Sequence, residues 1–177
     1  MKDSIDVIRL DFLDSINTSS AKEFIDKLKG CSMQRPDANC IWINISSPGG
    51  DIDVAIELYN FLKQLDCCVI TNNISVVNSA AILLYLAGDE RYCDYTSTFY
   101  VHSVTKKLRG IFDADRLIRE AKELKINTNR VVKIISDNTL PSSTYWNRLM
   151  NKGEIIASKQ AIKLGLSTHI FSRNNDQ

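Results

Sequence analysis

Apolar and polar residues alternate along residues 5–12, the period-2 pattern of a strand with one buried face. The period then lengthens. Ser20 and Glu23 have the spacing of a capping box, and Ala21, Phe24, Ile25 and Leu28 follow at helical intervals. Gly30 predicts the end of that helix. Residues 40–45, Cys-Ile-Trp-Ile-Asn-Ile, are dense in apolar side chains, as in a strand covered on both faces. Residues 46–50 break the chain with proline and glycine. Ile52, Ala55, Ile56, Tyr59 and Leu62 then mark one face of a helix over 52–65. Residues 67–71 read as a strand, and a short polar passage leads on to Ser79. Residues 80–87 are apolar on every side, the mark of a buried helix. Residues 98–101 form a strand that ends at His102. From 114 to 135 a long charged stretch carries Leu117, Ile118, Ala121, Leu124, Val131, Val132 and Ile135. Its period drifts near 126–129, which leaves open one bent helix or two. Residues 158–164 are a last short helix stopped by Gly165, and 167–171 a last strand. Strands alternating with helices predict βαβ units, hence an α/β fold with a mainly parallel sheet.

Composition narrows the classes without choosing one. The 177 residues, 44% hydrophobic and 24% charged, suit one globular domain over 1–177, with 172–177 a polar flexible tail. With 22 basic and 21 acidic residues the net charge is +1, which predicts neither nucleic acid nor a membrane as partner. No apolar run approaches the roughly 20 residues of a membrane span, and the first residues lack the apolar core of a signal peptide. Five cysteines contain no C-x-x-C pair and leave an odd count, and there are only two histidines. This predicts mostly buried, reduced thiols in a cytoplasmic protein, with no metal and no other cofactor.

Three features lie just past strand ends and at helix starts, where α/β folds build their sites. Ser47-Pro48-Gly49-Gly50 joins a buried strand to a helix. It is either a plain turn or a loop whose free N–H groups meet an anionic oxygen. Ser79 opens the buried helix. It is either an N-cap or a nucleophile, with the N–H of Ala80 facing the oxyanion of a tetrahedral intermediate. His102 ends the strand Thr-Phe-Tyr-Val. It is either a structural histidine or a general base to a nearby serine. His169 has no recognisable partner and reads as surface or edge.

The order and spacing of these features resemble the Clp protease proteolytic subunit family. IWINISSPGG, IELYNFL, CCVITN, NSAAILLYLAG and TFYVH follow that family's succession of strand, SPGG loop, helix, strand, nucleophilic serine, buried helix and histidine strand. ASKQAIKLGL is similar to its final helix and Gly-Leu stop. The resemblance implies a ClpP/crotonase-type fold, a stacked, mainly parallel β-sheet with flanking helices. It implies a serine peptidase that hydrolyses peptide bonds through an acyl-enzyme. Ser79 would be the nucleophile, His102 the general base, and the N–H groups of Gly50 and Ala80 the oxyanion hole. It also implies homo-oligomeric rings enclosing a chamber, peptide or unfolded protein as substrate, and an ATP-dependent unfoldase as possible partner. The long charged helix from Ala114 would interdigitate between rings.

Two departures mark a divergent branch. The family's triad aspartate precedes its last helix, but WNRLMNKGEIIAS contains none. Counting back from Gly165 reaches Gly153, and counting forward from Gly110 reaches Asn151. Glu154 is the carboxylate of that stretch, and Asp137 is a more distant one. Asn151, Glu154, Asp137 or a serine–histidine dyad therefore stay open. The family also has a glycine four residues before its nucleophile, where this chain has Ser75. Two other functions remain: a non-catalytic ring subunit or scaffold, and a crotonase-type acyl-CoA enzyme, although neither a Glu pair nor a coenzyme A signature appears near Gly50 or Ala80.

Overall fold

Successive strand–helix–strand units lay four strands side by side, all parallel. The computed structural model describes residues 6–171. The strands are β1 (Val7–Phe12), β2 (Cys40–Ser47), β3 (Cys68–Asn78) and β4 (Glu90–Asp94). The helices between them are α1 (Thr18–Gln34), α2 (Ile52–Lys63) and α3 (Ala81–Leu86). The chain continues through β5 (Thr98–Val101), α4 (Ala114–Asp137), α5 (Ser143–Lys152), β6 (Glu154–Ala157), α6 (Ser158–Lys163) and β7 (His169–Phe171). The sheet order is β1-β2-β3-β4-β7, with β5 and β6 off that path. The β5–β6 pair is antiparallel; every other pair is parallel. This is the expected α/β architecture.

β3 is where the sheet divides. Its residues 70–73 pair with β4, while 76–78 pair with β5. A register irregularity between Ile45 and Ser47 of β2 lies alongside this change. The buried side chain of Asn73 spans the split: its Nδ2 donates to the carbonyl of Thr98 at 2.9 Å, and its Oδ1 accepts from the N–H of Ser75 at 3.1 Å. An amide can satisfy backbone groups where a ladder changes partner, which an apolar side chain cannot. The second half of β3 thus runs beside β5, and Asn78 and Tyr100 end as neighbours.

α3 is fully enclosed, as its apolar composition predicts. Leu83, Leu84, Tyr85 and Leu86 have no accessible surface. Each such side chain contributes roughly 1.5–3 kcal/mol by leaving water. The Tyr85 hydroxyl donates to the carbonyl of Tyr92 at 3.0 Å and shares a 2.7 Å bond with Ser167 Oγ. Burial drives that phenol's pKa far above its ordinary range. Arg91 latches the far side. Its guanidinium donates to the carbonyls of Gly88, Asn138, Gly165 and Leu166 at 3.0–3.2 Å, so β4 is tied to the end of α4 and the turn after α6. Burial lowers the pKa of this cation.

Several elements differ from the pattern-based reading. α1 does not stop at Gly30. It continues to Gln34, because a helical glycine costs only about 1 kcal/mol and nothing there demands a turn. Its capping box is Asn17 with Ser20, one turn earlier than the Ser20–Glu23 pair. The polar passage before Ser79 is strand, the outer half of β3. The stretch 114–135 is one helix, extended to Asp137. β4, α5 and β6 had no period strong enough to announce them. Of the five cysteines, only Cys40 and Cys93 are buried; Cys31 and Cys67 are half-buried and Cys68 is exposed. None forms a disulfide among the described residues. Ile5 and the tail 172–177 lie outside the described residues. Among those residues no helix is long and apolar enough to cross a membrane.

Candidate active site

The loop after β2 and the end of β3 meet at glycine. Gly49 has φ 93° and Gly50 φ 151°, backbone that favours glycine. A Cβ on Gly50 would sit 2.1 Å from the carbonyl oxygen of Ile16. The segment before α1 grips this loop: Ile16 N–H donates to Gly49 at 2.8 Å, and Asp51 N–H donates to Ile16 at 2.9 Å. Asp51 spends its carboxylate capping α2, accepting from the N–H groups of Asp53 and Val54.

Ser79 follows with φ 54°, the only non-glycine residue at positive φ among the described residues. Its N–H donates to the carbonyl of Tyr100 at 2.8 Å, which locks the turn to the end of β5. α3 begins only at Ala81, with Ala80 at its N-cap position and no side-chain cap. Ser79 therefore does not serve as the helix cap. Its hydroxyl makes no hydrogen bond among the described residues. A non-glycine residue held in a costly conformation without a capping role is the kind of strain that accumulates at working sites.

β5 delivers His102 to the same place. Gly50, Ser79, Ala80 and His102 line one cavity of about 60 Å³ that opens to solvent. Its walls are apolar: Ile52, Ile82, Val101, Val104, Val131, Ile135 and Met150, with Thr105 at the rim. Val131 and Ile135, one turn apart on α4, close one side. The N–H groups of Gly50 and Ala80, both residues of the cavity lining, have no hydrogen-bond partner among the described residues. The loop 102–113 over the site is anchored by Lys106, which pairs with Glu120 at 2.7 Å and Glu123 at 2.9 Å on α4.

The surroundings of His102 differ from a carboxylate-supported histidine. Its Nδ1 lies 2.6 Å from the main-chain oxygen of Ser103. Its ring stacks on Tyr100, with centroids 5.2 Å apart. It makes no hydrogen bond to Ser79 in this structure. Asn151, in the last turn of α5, reaches Ser103: the Ser103 hydroxyl donates to Asn151 Oδ1 at 2.9 Å. Glu154 sits in β6 opposite Val101 and makes no ion pair or side-chain hydrogen bond among the described residues. Asp137 ends α4 and is paired with Lys133 at 2.9 Å, away from the cavity lining. His169 is on the exposed edge strand β7, stacked on Tyr92. No carboxylate lines the cavity, and no cluster of metal-ligating side chains occurs among the described residues. Ser103 and the apolar wall from α4 had no signal in the sequence pattern beyond the i, i+4 spacing of Val131 and Ile135.

The chain matches the family model "Clp protease" over residues 5–174. It is 24% identical over 151 residues to the ATP-dependent Clp protease proteolytic subunit 2 of Treponema pallidum, covering 84% of this chain and 73% of that one. It is 25% identical over 138 residues to the protein of the same description from Treponema denticola, covering 77% and 68%. A solved structure, an asparagine-to-aspartate mutant of ClpP1 from Listeria monocytogenes, superposes with a TM-score of 0.80 at 20% identity, covering 94% of this chain and 92% of that chain. The parallel sheet, the glycine loop facing Ser79, and the match along almost the whole chain lead to one assignment: this protein belongs to the Clp protease family.

Proposed function

We propose that this chain is a serine peptidase that hydrolyses peptide bonds through an acyl-enzyme on Ser79. The observation that carries the reading is the strained φ of Ser79 in a cavity shared with His102 and two free main-chain N–H groups. The hydroxyl oxygen of Ser79 attacks the peptide carbonyl carbon, and His102 Nε2 takes the hydroxyl proton. The carbonyl oxygen becomes an oxyanion, met by the N–H groups of Gly50 and Ala80. Collapse of the intermediate breaks the C–N bond, and the imidazolium returns the proton to the leaving amine. Water, activated by the same histidine, then releases the acid. Catalytic hydrogen bonds of the Ser79–His102 kind tighten on substrate binding.

The apolar walls suit an apolar side chain of a peptide or unfolded protein. A self-compartmentalised homo-oligomeric ring, fed by an ATP-dependent unfoldase, is the assembly proposed from the family. α4 supports it: Leu117, Ile118 and Ile126 are exposed on a helix that otherwise carries charge, as expected of a contact face. Free thiols suit a reducing cytoplasm.

A fluorophosphonate probe tests the chemistry. Stoichiometric labelling at Ser79 that is lost in Ser79→Ala and His102→Ala establishes an assembled nucleophile. Absence of labelling in folded, assembled protein favours a second reading, a non-catalytic ring subunit. The observation behind that alternative is the lack of any carboxylate on His102. Nothing in the cavity favours the acyl-CoA reading, since no carboxylate pair lines it.

A further inference from the structure

We infer that the main-chain carbonyl of Ser103, anchored through the Ser103 hydroxyl to Asn151, orients His102 where a carboxylate would otherwise stand. This deepens the peptidase reading, from which it takes its purpose, but its geometry stands apart from that reading.

A carbonyl oxygen only accepts. At 2.6 Å from His102 Nδ1 it must receive a proton from that nitrogen, so the neutral ring carries its hydrogen on Nδ1. The lone pair is then left on Nε2, the tautomer a general base to serine requires. A carboxylate performs two tasks for a catalytic histidine: it selects this tautomer, and its charge stabilises the imidazolium. The Ser103 carbonyl performs the first and, as a neutral dipole, only part of the second.

A carbonyl of an irregular segment needs holding in place. Ser103 is the second residue of the stretch between β5 and α4, where no ladder fixes the backbone. Its hydroxyl supplies the hold, donating to Asn151 Oδ1 at 2.9 Å, with the carbonyl of Met150 at 3.4 Å. Met150 is buried, so the end of α5 is a firm anchor. Asn151 therefore acts on His102 through Ser103, as a positioning residue. An asparagine suits this: its Oδ1 accepts as a carboxylate would, without placing a charge beside the loop. The ring's other face is braced by Tyr100.

The chain has two histidines, which makes the tautomer directly readable. Magic-angle-spinning NMR of 15N-histidine-labelled protein, in a His169→Gln background and at a pH where the ring is neutral, resolves Nδ1 and Nε2 of His102 whatever the size of the assembly. The expected result is a protonated Nδ1 and a bare Nε2 in the parent and in Ser103→Thr, which keeps the hydroxyl. In Ser103→Ala and Asn151→Ala the ratio of the two tautomers falls about 2- to 10-fold, the worth of one hydrogen bond. A protonated Nε2 in the parent overturns the inference, as does a ratio untouched by both alanine variants. Ser79 that resists the fluorophosphonate while Nδ1 carries the proton defeats the peptidase reading and leaves this one standing.

Discussion

Gly49 and Ser79 touch backbone to side chain: a Cβ built on Gly49 would lie 2.8 Å from the Cβ of Ser79 and 2.6 Å from the carbonyl oxygen of Asn78. The loop after β2 and the turn after β3 can pack this closely only because one of them carries glycine. Gly49→Ala therefore has to push the Ser79 turn away, and at φ 93° the alanine is strained as well. The expected outcome is a folded protein, less stable by about 1–3 kcal/mol, whose fluorophosphonate labelling is slowed at least tenfold. Labelling at the parental rate would show that the contact does not position Ser79.

The backbone of Ser79 makes an unusual prediction about stability. At φ 54° an L-residue costs about 1–2 kcal/mol that glycine avoids. Unfolded-chain entropy works the other way, favouring alanine by about 0.4–1 kcal/mol. Ser79→Gly should therefore be more stable than Ser79→Ala by up to about 1.5 kcal/mol, the reverse of the usual order. Urea titration of the two variants checks this, and neither should label.

Arg91 bonds four carbonyls from three segments. An ammonium has three donors on one atom and cannot reproduce that fork. Arg91→Lys is expected to cost about 1–3 kcal/mol in thermal or urea unfolding, with hydrogen exchange rising first around Asn138 and Gly165. An unfolding curve matching the parent would refute the latch.

Asp89 links acidity to stability. Burial raises its pKa, but the Val69 N–H at 3.0 Å and Lys63 at 2.9 Å outweigh that effect and hold the carboxyl below its ordinary range. A carboxyl lowered in the folded state contributes stability above its unfolded pKa and loses it as pH falls through the folded value. Asp89→Asn should be less stable than the parent at neutral pH by under about 1 kcal/mol, as expected for an exposed pair. The gap should close below about pH 4. A constant gap from neutral to acid would contradict the sign.

The cysteines should react in a definite order. Cys68 is exposed at the start of β3, opposite Cys40 on β2. Burial, together with the Cys68 side chain, pushes the Cys40 thiol up to about 12. Burial also raises Cys93. At about pH 8, iodoacetamide should modify Cys68 in native protein and reach Cys40 and Cys93 only on unfolding, as mapped by peptide mass. Early modification of Cys40 would mean that its strand pair opens.

Local pattern alone carried a good deal. Ser47–Gly50, Ser79 and His102 stood out because turn residues and strand ends are written in adjacent positions. β5 and the buried helix after Ser79 were legible for the same reason: period and apolarity record which faces lose water. What pairs with what was not legible. β4, with the charged run Glu-Arg-Tyr-Cys-Asp, is a strand because β3 and β7 flank it, not because its own residues alternate. Asn73, Arg91 and Tyr85 look like ordinary residues until distant carbonyls converge on them. The same holds at the site. The sequence put a serine at a helix start and a histidine at a strand end, and showed no aspartate in the stretch before the last helix. Only the folded chain brought the carbonyl of Ser103 to the imidazole and the end of α5 to Ser103. Hydrogen-bond partners are chosen in space, across 48 positions in the case of Ser103 and Asn151, and no spacing along the chain encodes them.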